Sequence, residues 1–133
     1  MKLSEKHMEA FRDAAGPCLA DRLAADLRRD YADDTDELSD ELLLDRVMYG
    51  IEGAKKYGLT TRRSIAAFVF LMFAVGPRFD AQPRVGRILS DRAKDPDVRI
   101  DLILALVPEA DWRRARSFGG DRSWPAHLRE DAE

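Results

Sequence analysis

Residues 64–80 read SIAAFVFLMFAVGPRFD, and Ile65 to Val75 are eleven apolar residues in a row. The rest of the chain is rich in charge, with 35% Asp, Glu, Lys and Arg over 133 residues. At a rise of about 1.5 Å per residue the run spans about 16 Å, roughly half of a bilayer's hydrocarbon thickness. Arg62 and Arg63 close one end, and Gly76-Pro77-Arg78 closes the other. A helix this short and this apolar on every side belongs inside a protein, surrounded by its neighbours. The expected fold is therefore all-α, a compact bundle of five to six helices around a central helix at about 61–75.

The flanking sequence supplies the partners. Met8, Phe11, Ala15, Leu19, Leu23, Leu27 and Tyr31 recur at three- and four-residue spacing and make one apolar stripe. Gly16-Pro17 interrupts it, because proline has no N–H to reach back one turn, so helices at 4–15 and 17–31 with a kink or fresh start between them are expected. Residues 32–45, ADDTDELSDELLLD, hold seven acids and no base. The first part reads as a solvated connection, after which Ser39 or Asp40 caps a helix at 40–57. Leu43, Val47, Ile51 and Ala54 share a face of that helix, and Tyr57-Gly58-Leu59 ends it with glycine at the left-handed position.

Thr60 or Thr61 caps the central helix, and Gly76-Pro77 stops it. Pro83 suits the first turn of a helix at 83–92. Asp95-Pro96 is a cap followed by a first-turn proline, which predicts a helix at 96–107 with Ile100, Ile103, Leu104 and Val107 on one face. A short helix at 109–116 carries Trp112. These helices form one domain over 1–116. Residues 117–133 have no sustained period and read as a loosely held tail, with Phe118 or Trp124 as its anchors.

Chemistry-bearing residues are sparse. His7 and His127 stand far apart and Cys18 is alone, so the chain has no spacing for a zinc site and no disulfide within itself. Asp33-Asp34-Thr35-Asp36-Glu37 fails as a calcium loop, since Ser39 stands where a sharp turn needs glycine. Cys18, near a helix start, and Asp80, in the loop after the central helix, are the candidates for catalysis. Each has a simpler role: Cys18 as a small core residue, Asp80 as a partner for the N–H groups opening the helix at Pro83. Gly50-Ile51-Glu52-Gly53 lies inside a helix and lacks the Lys-Ser/Thr of a phosphate loop. We expect no catalytic residue, no metal and no cofactor.

A net charge of −3 argues neither for nucleic acid nor for an anionic membrane. Arg84, Arg87, Arg113, Arg114 and Arg116 are interleaved with acids, which is the pattern of an ion-paired, solvated face. Arginine and tryptophan concentrate in ADWRRARSFGGDRSWP, and these are the residue types that dominate protein interfaces. Trp112, Arg113, Arg116, Phe118 and Trp124 are accordingly the candidate partner-binding residues. The N-terminus has no secretory apolar stretch, and the expected location is the cytoplasm, with no membrane insertion.

At residues 50–83, GIEGAKKYGLTTRRSIAAFVFLMFAVGPRFDAQP, the chain resembles a group of small helical proteobacterial proteins encoded near type VI secretion spike and effector genes. The matching positions include Gly50, Tyr57-Gly58-Leu59 and Gly76-Pro77 with Phe79-Asp80. The N-terminal layout is similar, so the resemblance covers about residues 1–105 and leaves the tail outside. The group carries acids around its Phe-Asp step where Arg78 and Gln82 stand here, which weakens any metal or acidic recognition site in that loop. The resemblance implies a non-enzymatic accessory protein: an adaptor or chaperone that binds a secreted effector, toxin or spike component. An immunity protein that neutralises a toxin by binding fits the same gene context, and a small enzyme or a nucleic-acid binder is a further alternative.

Overall fold

The computed structural model describes residues 15–117 and 123–130, with side chains from Leu19 onward. Seven α-helices lie among the described residues: α1 (Ala15–Asp30), α2 (Ala32–Thr35), α3 (Asp40–Lys56), α4 (Arg62–Ala74), α5 (Pro83–Leu89), α6 (Pro96–Leu106) and α7 (Glu109–Arg116). Two 3₁₀ turns, Phe79–Ala81 and Ala126–Leu128, complete the order, and no described residue is in a strand. The all-α expectation holds. The helix expected at 4–15 lies outside the described residues, apart from its last position.

The eleven-residue run is the hub. Along α4, Ser64, Ile65, Phe68, Val69, Met72 and Phe73 are buried, and the remaining apolar positions are half-buried against the same core. The helix packs on α1, α3 and α6 at once, which is why no side of it needs to be polar. Burying one such side chain contributes about 1.5–3 kcal/mol. No described helix is long and apolar enough to cross a membrane.

Local chemistry sets the helix ends. Ser39 caps α3, its hydroxyl accepting from Leu42 N–H at 3.0 Å. Thr61 caps α4 and also reaches across the fold: its hydroxyl accepts from Ser64 N–H at 3.1 Å and donates to Asp97 Oδ1 at 2.5 Å. Gly58 has φ +81°. Gly58 N–H donates to Lys55 and Leu59 N–H to Ala54, a double closure of the α3 carbonyls. Gly50 and Gly53 let α3 lie close on α4. A Cβ on Gly50 would sit 2.9 Å from Met72 Sδ, and one on Gly53 3.2 Å from Phe68.

Arg99 supplies a second kind of closure. It is only 3% exposed, and its partners are carbonyl oxygens: Tyr57 at 2.8 Å, Leu89 at 2.7 Å and Lys94 at 3.1 Å. The first two are helix-end carbonyls with no partner inside their own helix. A buried guanidinium tolerates such a site because each N–H bond is charge-assisted.

Several expectations are corrected. The acidic connection is not simply solvated. Residues 32–35 form one helical turn, Thr35 and Leu38 are buried, and Arg28 gathers the carbonyls of Thr35 and Leu38 with Asp40. α5 stops at Leu89, three residues short of the expected end, because Ser90 onward turns toward Asp91–Lys94. Asp95 precedes Pro96 as expected, but its side chain makes no capping bond. Leu104 was expected inward with Ile100 and Ile103, yet it is 58% exposed.

Candidate interaction site at the 76–83 loop

The loop after α4 is built for a sharp reversal. Gly76 takes φ +152°, where a side chain would be strained, and Pro77 and Phe79 are buried behind it. Phe79 meets Phe68 edge-on, with centroids 5.0 Å apart. The amides of Phe79, Ala81 and Gln82 donate to Gly76, Arg78 and Phe79, which closes the 3₁₀ turn. Gln82 then caps α5: its Oε1 accepts from Arg84 N–H at 2.8 Å and Val85 N–H at 3.1 Å.

Asp80, the residue that the sequence offers for this capping role, does not fill it. Asp80 turns the other way and accepts from the Tyr57 hydroxyl at 2.6 Å. Burial, the hydrogen bond to Asp80 and the negative charge of Asp80, in that order, hold the Tyr57 phenol well above its ordinary value. The pair ties the end of α3 to the loop.

The second wall comes from the C-terminal segment. Within the stretch read as a loosely held tail, residues 123–130 are described, and they pack. Trp124 is 4% exposed and Leu128 is buried. Trp124 lies against Phe73 at 5.3 Å and Tyr49 at 6.2 Å between centroids. The Arg46 guanidinium sits 4.5 Å over its ring, while Arg46 Nε donates to Leu128 carbonyl at 2.8 Å. A cation over an indole face gains from the ring's quadrupole, more so when desolvated. Trp124 is therefore packed into the fold, and what remains of it borders a cleft. Phe118 lies outside the described residues.

A cleft of about 380 Å³ touches the start of the loop at Gly76 and Pro77, and two larger ones flank it. The larger, about 710 Å³, is walled by the α3 face Tyr49, Glu52 and Tyr57, by Asp80, and by Trp124 and Arg129. The smaller, about 570 Å³, lies between the loop and the end of α7. Arg78 borders both.

The other expected interface residues sit on α7. Trp112 is half-buried against the core, and Arg113 is exposed. Arg116 pairs with Glu109 at 2.8 Å. Asp111 Oδ2 lies 2.9 Å from Arg84 Nε, with no well-aligned hydrogen bond, and its Oδ1 lies 3.6 Å from Arg114. Trp112, Arg113 and Arg116 thus share one short helix, while Trp124 does not join them. Among the described residues, no three His, Cys, Asp or Glu side chains gather as a metal site. His127 is exposed, and His7 and the side chain of Cys18 lie outside what the structure describes.

The sequence does not foretell the exposed apolar residues of α6. On α6, Val98, Leu104 and Leu106 face water at 43, 58 and 60% exposure, while Arg99, Ile100 and Ile103 face inward. It shows only the excess: PDVRIDLILAL has too many apolar residues for one face of so short a helix. Compared with protein-family models, with curated proteins and with solved structures, the chain matches none of them.

Proposed function

We propose that the protein works by binding another protein, as an adaptor or chaperone for a secreted bacterial effector. The observation that carries the binding part is the apolar side chains exposed along α6. Five large apolar side chains are well exposed among the described residues, and three of them, Val98, Leu104 and Leu106, belong to this one helix. Single exposed apolar residues are ordinary on any protein surface. The three do not share one face, since Leu104 and Leu106 stand two positions apart on the helix. Together they give α6 more exposed large apolar side chains than any other described helix, and a partner that covers such area gains about 25 cal/mol for each Å² removed from water. The kind of partner, a type VI effector or spike component, rests on the resemblance over 50–83.

The test is a pull-down of the tagged chain from its native host, alone and as a Leu104→Glu, Leu106→Glu double variant. Recovery of a neighbouring gene product by the parent and its loss in the variant, at unchanged thermal midpoint, is the expected result. Recovery of the bait alone overturns the proposal. Rescue of cells expressing a neighbouring toxin would move the assignment from adaptor to immunity protein.

A further inference from the structure

The smaller cleft beside the 76–83 loop plays no part in that reading. Its volume of about 570 Å³ lies within the range of pockets that hold small organic ligands. Phe79, Pro83 and Ala115 give it an apolar lining, and the charged residues that border it among the described ones, Arg78 and Arg114, are both cationic. Among the described residues, no acid lines it. Arg78 is exposed and makes no ion pair among the described residues. Arg114 is held only loosely, with Asp111 Oδ1 at 3.6 Å.

Several main-chain donors at the cleft are already committed. Pro83 has no N–H. The amides of Phe79, Ala81 and Gln82 are committed within the turn, and the Gln82 side-chain oxygen is taken by the first amides of α5. An extended peptide would find few free donors among these amides for its own carbonyls, and an unpaired backbone group is costly. What the cleft can satisfy is an apolar body with one anionic end, the carboxylate lying between two guanidiniums.

We infer that this cleft binds a small amphipathic carboxylate. The inference does not depend on α6 or on a protein partner. It is tested on the full chain by ¹H–¹⁵N NMR titration with 4-phenylbutyrate and with its neutral analogue 4-phenylbutanol. The acid shifts the amide signals of Phe79, Ala81 and Ala115, and it binds about three- to tenfold more tightly than the alcohol, as two exposed charge contacts allow. Arg78→Gln and Arg114→Gln each remove part of that preference without moving the thermal midpoint, and Ala81→Trp, at an exposed lining position, weakens both probes. Equal affinity for acid and alcohol, shifts confined to other residues, or no saturable binding overturns the assignment. Tighter binding of a tripeptide ending in phenylalanine carboxylate than of phenylbutyrate also overturns it, in favour of capture of a polypeptide C-terminus.

Discussion

The hydroxyl of Tyr57 donates to Asp80 Oδ2 at 2.6 Å, joining the end of α3 to the loop after α4 across 23 positions of sequence. The bond is half-buried, so removing the donor leaves a carboxylate short of a partner. Tyr57→Phe is expected to cost about 1–2 kcal/mol at neutral pH, read as a lower urea midpoint. The pH dependence has a definite sign. The phenol is raised above its ordinary value of 10.0 in the folded protein, so its contribution is complete below that pH and is lost as the pH climbs above it. The gap between parent and Tyr57→Phe should therefore be constant from pH 7 to about 9 and narrow beyond 10. A gap that widens with alkali would contradict the assignment.

Arg99 holds carbonyls of Tyr57, Leu89 and Lys94 from a buried position. Lysine has the charge but not the planar fork, and methionine has neither. Both Arg99→Lys and Arg99→Met should lower stability, by about 2–4 kcal/mol, because buried carbonyls lose their donors. Chemical denaturation reads the loss directly. A neutral result for lysine would mean that the fork geometry does not matter here.

The two glycines of α3 separate close packing from helix propensity. Alanine gains about 1 kcal/mol over glycine inside a helix. At Gly50 a methyl group would meet Met72 Sδ at 2.9 Å and Val69 Cγ2 at 3.0 Å, and overpacking of that kind costs about 1–3 kcal/mol. At Gly53 the nearest atom is an edge carbon of Phe68 at 3.2 Å. Gly50→Ala should come out destabilised by up to about 2 kcal/mol, and Gly53→Ala close to neutral. Calorimetry of the pair checks the order, and the reverse order would place the helix contact elsewhere.

Neighbours on α6 should behave oppositely. Ile103 is fully buried and Leu104 is 58% exposed. Truncating Ile103 to Ala is expected to cost about 2–5 kcal/mol, whereas Leu104→Ser should stay within about 0.5 kcal/mol. Thermal midpoints of the two variants give the answer.

What could be read from the sequence was local. The α4 run, the Tyr57-Gly58-Leu59 ending and the caps at Ser39 and Thr61 depend on residues within a turn or two of each other, and all stand in the structure. Asp80 was misread because two roles were open to it: a nearby helix start, and a tyrosine 23 residues away that no local pattern reveals. For Trp124 the sequence offers two roles, anchor of the tail and partner contact, and its short stretch carries no period to choose between them. Its environment is set by Arg46, Tyr49 and Phe73, all distant in sequence. The cleft between the loop and α7 is a product of that same long-range packing, so only its arginines were visible beforehand. Leu104 failed for a different reason, since a helix apolar on most sides does not say which side turns inward.

The Arg99 arrangement also has a consequence in time. Two of its acceptors are the closing carbonyls of α3 and α5, and the guanidinium arrives from a residue 42 positions after Tyr57. Its bonds join the ends of two helices to a third, so we expect them to form late in folding and outside the rate-limiting structure. Interactions absent from the transition state set how fast a protein comes apart rather than how fast it assembles. Weakening Arg99 should accordingly speed unfolding in stopped-flow measurements and leave refolding nearly unchanged. The residue acts as a latch on the lifetime of the folded chain.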